Sequence, residues 1–70
     1  MNTQYIVNTG AKNTDLMFAV KIDGGPTYKL SASSMESARK IVQGFEPNAP
    51  DSAFKVVRLT WVKGKGFQEA

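Results

Sequence analysis

The sequence contains no cysteine and no histidine. Without cysteine, disulfides and thiolate–zinc sites are excluded. Without histidine, the side chain that titrates near neutral pH is missing, and with it the commonest general base and metal ligand. Acids are few: Asp15, Asp23, Glu36, Glu46, Asp51 and Glu69 are scattered and lack the paired spacing of acid–base chemistry. The expectation is a protein that is not an enzyme, with no catalytic residues, no metal and no cofactor. Long hydrophobic runs are also lacking, and none approaches the roughly 18 apolar residues of a membrane span. Residues 1–7 carry neither the basic nor the apolar region of a signal peptide. The chain therefore reads as soluble and cytoplasmic, with no membrane partner.

What is present fits one small domain spanning 1–70. A hydrophobic fraction of 41% with a net charge of +3 is that of a globular chain rather than a disordered one. Seventy residues lie near the lower size limit for independent folding, so either a monomer or a homodimer is expected.

Periodicity places four strands and one helix. "QYIVN" at 4–8 is β-branched and aromatic, and "TGAKNTD" after it is a polar turn cluster. "LMFAVKID" sets Leu16, Phe18, Val20 and Ile22 on one face, with Lys21 and Asp23 on the other. The break "GGP" and the resumed alternation of Tyr28, Leu30 and Ala32 read as a hairpin. Ser33 and Glu36 fit a capping box, and Met35, Ala38, Ile41, Val42 and Phe45 recur at helical spacing, predicting a helix over 34–43 that stops at Gly44. After the loop "EPNAPDSA", a last strand is expected over 54–62. Its alternation is imperfect, so either both faces are partly covered or a bulge shifts the register near Val56. "KGKG" is then a turn, and "FQEA" either adds a short strand or frays. The order β-β-β-α-β gives an α+β fold: an antiparallel sheet of four to five strands with one helix packed on one face.

Two sets of residues could bind a partner. "FKVVRLTWVKGKGF" holds Lys55, Arg58, Lys63 and Lys65 with no acid among them. Such a basic ribbon could track phosphates, and Trp61, if exposed, could stack on an unpaired base of DNA or RNA. The competing reading places Trp61, beside Val57 and Leu59, in the core under the helix, with Lys63 and Lys65 in a strand-end turn; this is the reading favoured by the sequence. On the helix, Arg39 and Lys40 are consecutive and fan across one outward surface.

The opening "MNTQYIV" (Met1, Tyr5, Ile6), the segment "SASSMESARKIV" and the later "VVRL" together resemble a family of small phage anti-CRISPR proteins that inhibits type I-F surveillance complexes. The resemblance implies a helix on an antiparallel sheet, and binding to the backbone subunits of the host effector complex so that target DNA cannot hybridise to the guide. It implies a contact through the basic pair at Arg39 and Lys40, with Tyr5 matched in a packing role. Glu36 and Gln43 share that helix and complete the expected partner-binding set. Gln43 and Gly44 stand where the family has a further basic residue, and the "EPNAPDSA" loop and "GGP" hairpin also depart from its pattern.

Overall fold

A computed structural model describes residues 3–10 and 16–69. Met1, Asp15 and much of the "TGAKNTD" cluster lie outside the described residues. Five strands and a helix follow in the order β1 (Gln4–Ile6), β2 (Leu16–Ile22), β3 (Thr27–Ala32), α1 (Met35–Phe45), β4 (Phe54–Val62) and β5 (Gly66–Glu69), with a 3-10 turn at Asp51–Ala53. They form one sheet ordered β1-β3-β2-β4-β5, with α1 against one face. The architecture is α+β as expected, and the fifth strand is Gly66–Glu69, which takes in Phe67, Gln68 and Glu69 of "FQEA".

The sheet is antiparallel except at one edge, where β1 runs parallel to β3. β1 pairs with the second arm of the β2–β3 hairpin rather than the first because both sides of β2 are already taken, by β3 and β4. Since β3 and β4 are both antiparallel to β2, they run the same way on either side of it, and α1 is the crossover between them.

Strand alternation builds the core directly. Phe18, Val20 and Ile22 of β2 and Tyr28, Leu30 and Ala32 of β3 are buried against Ala38 and Val42, one turn apart on α1. Phe18 faces Leu30 and Val20 faces Tyr28 across the hairpin. Gly24 makes the hairpin turn possible with φ of 72°, a left-handed conformation that side chains resist.

The helix differs from the predicted one at both ends. Its N-cap is Ser34, not Ser33: the Ser34 hydroxyl accepts from the Ser37 amide at 3.1 Å. Glu36 does not close a capping box but pairs with Lys40 one turn on. At the other end Gly44 remains helical, and α1 continues to Phe45. Tertiary contacts hold that last turn: Phe45 stacks on Tyr28 at 5.8 Å, and the Tyr28 hydroxyl donates to Glu46 Oε1 at 2.7 Å. Pro47, which has no amide to donate, follows at once.

β4 pairs with β2 in unbroken register from Met17↔Leu59 to Ile22↔Phe54, so no bulge occurs near Val56. Phe54 and Val56 lie under the helix. Val57, Leu59 and Trp61 point the other way, which reverses the expected assignment. Register decides it: Val56 sits opposite the fully buried Val20 and Val57 opposite Ala19, so only the even-numbered residues of β4 can face α1.

Candidate functional site

Only one face of the sheet is covered by a helix, and the uncovered face collects an unusual set of side chains. Trp61 is 67% exposed there, where the sequence had favoured burial. It meets Phe67 of β5 edge-to-face, with ring centroids 5.2 Å apart and planes at 74°. The two are cross-strand partners, positioned by the Lys63–Lys65 turn, in which the Lys65 amide donates to the Val62 carbonyl at 3.0 Å. Gly64 and Gly66 both take φ above 80°, which lets the chain reverse so tightly that the two rings meet.

Beside this pair lies a trough with a cavity of about 360 Å³, bounded by Lys21, Thr27, Lys29, Phe67 and Glu69. Its floor is Ala19 and Leu59, only 2% and 5% exposed although no helix covers them. Long neighbouring side chains shield them, as lysine stems do over apolar surface. A second trough of about 440 Å³ continues past Phe67, bounded by Ile6, Met17, Lys29 and Lys65. Among the described residues, the face thus presents Lys21, Lys29, Lys55 and Lys65, two aromatic rings and a shallow apolar floor, with Glu69 beside the first trough and Asp23 beside Lys21 and Lys55 at the hairpin end.

Lys21 Nζ donates to both Glu69 carboxylate oxygens at 2.9 Å. That contact holds the Glu69 carboxyl below its ordinary value, helped by the nearby charges of Lys55 and Lys29. In the register, Lys21 and Lys55 are directly opposite, and Lys29 lies diagonally across from Lys21. Like charges opposed across a ladder are unfavourable, and this carboxylate offsets them.

The residues expected to form a basic patch are divided by the fold. Lys55 and Lys65 reach the open face. Arg58 lies opposite Phe18, on the helix side of the sheet. Lys63 is exposed in the β4–β5 turn. Lys21, Lys29, Phe67 and Glu69 were not singled out from the sequence. Lys21 did stand on the polar side of an alternating strand, the signal that could have found it.

The expected helix set is also visible. Arg39 Nη1 lies 4.0 Å from Asp51 Oδ1, and Gln43 Nε2 donates to the same oxygen at 2.8 Å. Lys40 Nζ lies 3.4 Å from Glu36 Oε1. Each helix cation therefore has an acid beside it, in exposed pairs of small energy. Tyr5 projects to the helix side and meets Tyr28, with centroids 5.2 Å apart, while remaining 47% exposed. Tyr5 and Arg39 thus sit away from the open face.

Among the described residues, no three carboxylates come together as a metal site would require, and no helix is long and apolar enough to cross a membrane. The open face is suited to holding a ligand that is anionic along one edge and flat along another. Compared with protein-family models, curated proteins and solved structures, the chain matches none of them.

Proposed function

We propose that this protein acts by binding, without catalysis, and that its ligand is an unpaired nucleic-acid strand laid across the open sheet face. One observation carries the reading: the exposed Trp61–Phe67 pair shares a face with Lys21, Lys29, Lys55 and Lys65. Bases stack on exposed rings whatever their identity, and lysines beside them neutralise the phosphates that link those bases. A single-stranded ligand is favoured over a duplex because its bases are free to leave one another and meet the rings.

Fluorescence anisotropy with labelled oligothymidylate tests this. Binding should weaken steeply with salt, and Trp61 emission should be quenched as the strand binds. Trp61→Ala should cost about 1–3 kcal/mol of binding, the usual worth of one stacked base. Absence of binding at low salt, or binding that Trp61→Ala leaves unchanged, overturns the reading.

A second reading rests on the three sequence blocks that resemble the anti-CRISPR family. In it the protein is a phage-encoded inhibitor working in the host cytoplasm, bound to the backbone subunits of a type I surveillance complex and blocking target-DNA hybridisation. Its support on the helix is that Arg39 and Lys40 are held only by exposed pairs, which a partner's carboxylates or phosphates could replace. Co-elution with a purified complex and loss of target-DNA binding are expected. Arg39→Ala/Lys40→Ala separates the two readings: it should abolish inhibition while leaving oligothymidylate binding nearly intact, whereas Trp61→Ala should do the reverse.

A further inference from the structure

Lys21, Lys29 and Lys55 come from adjacent strands onto one patch of the open face, although β-sheets disfavour opposed like charges. Nothing in the core requires them there, since the cavity floor beneath is small and apolar. Two carboxylates stand near them: Asp23, which lines a neighbouring cavity with Lys21 and Lys55, and Glu69, which Lys21 grips at both oxygens. A carboxylate held at both oxygens by an ammonium, with two more ammonium groups close by, occupies the place of a phosphate oxygen pair. Both partners are substantially exposed, so the contact is weak enough to exchange. Phe67, two residues before Glu69 on β5, lines the same cavity.

We propose that Lys21, Lys29 and Lys55 form a phosphate subsite, and that Glu69 fills it until a phosphodiester group displaces the carboxylate. The inference rests on the nucleic-acid reading for the identity of the ligand, but not for the existence of the subsite. Glu69 then acts as a built-in competitor: it weakens, without preventing, the binding of isolated phosphates and yields more readily to a strand that also gains stacking on Trp61 and Phe67. The lysine charges stay compensated in the empty protein, and the displaced carboxylate turns to water.

Glu69→Gln tests the competition directly. It should tighten oligothymidylate binding about three- to fivefold, the worth of one exposed ion pair converted to affinity. Asp51→Asn makes the same change in net charge beside the helix and should have a much smaller effect. In a Lys21→Gln background, which itself weakens binding, Glu69→Gln should add no more than Asp51→Asn does. Equal gains from Glu69→Gln and Asp51→Asn in the wild-type background overturn the competition.

Titration of inorganic pyrophosphate, followed by NMR at the Lys21 ammonium and the Glu69 carboxyl, separates this proposal from the reading beneath it. Movement of both signals, with no oligothymidylate bound by any variant, keeps the subsite and removes the nucleic-acid ligand. No movement together with no oligothymidylate binding overturns both.

Discussion

Tyr28 joins three parts of the protein through one side chain. Its ring packs between Tyr5 and Phe45, and its hydroxyl donates to Glu46 beyond the end of the helix. The hydrogen bond to the carboxylate, then burial, push its pKa from 10.0 up to about 12. The folded protein therefore keeps a proton that the unfolded chain releases near pH 10, so this group's stabilisation is complete below pH 10 and is lost as pH climbs toward 12. Alkaline absorbance titration should show one tyrosine ionising near pH 12, with unfolding free energy falling across that window. Tyr28→Phe should remove the pH-dependent part and cost about 1.5–3 kcal/mol in denaturant unfolding, as for a hydrogen bond to a charged group. Trp61 offers a simpler measurement at the same scale. Its exposure predicts emission close to that of tryptophan in water, and a strongly blue-shifted spectrum would contradict the position of its ring.

Among the elements, the β2–β3 hairpin was the most legible in sequence and β4 the least. Phe18, Val20 and Ile22 alternate with polar or small residues, so only one face could turn inward. β4 has apolar residues on both faces, and its inward side is decided by pairing with β2, which no local pattern carries. The same limit hid the Lys21–Glu69 contact, whose partners lie 48 residues apart. The helix was legible in its apolar stripe and misplaced at its ends, because Ser33 and Ser34 are chemically equivalent as caps. Ser34→Ala should lower stability by about 1 kcal/mol, whereas Ser33→Ala should cost much less. A thermal melt of the two variants distinguishes the true cap. Should both lose equally, the Ser33–Ser37 hydroxyl contact at 3.4 Å matters more than its length suggests.

For the whole molecule, a small core must carry the fold while the helix covers one face of the sheet and leaves the other without a helix. Leu30 is fully buried at the centre, and Leu30→Ala should cost about 3 kcal/mol, much of what a domain of this size has to spend. Urea denaturation should show that loss as a lower midpoint with an unchanged slope. The outer edges are held far more lightly than this centre. β1 touches the sheet through just three register positions, Gln4, Tyr5 and Ile6, all exposed, with the Val7 amide and the Thr9–Ser31 hydroxyl contact beyond them. Local opening should begin there, so the Val7 amide should exchange with deuterium well before those at the centre of β2. β1 thereby serves as a detachable guard: each time it lifts, the backbone of β3 becomes a bare edge onto which a strand from another copy could zip.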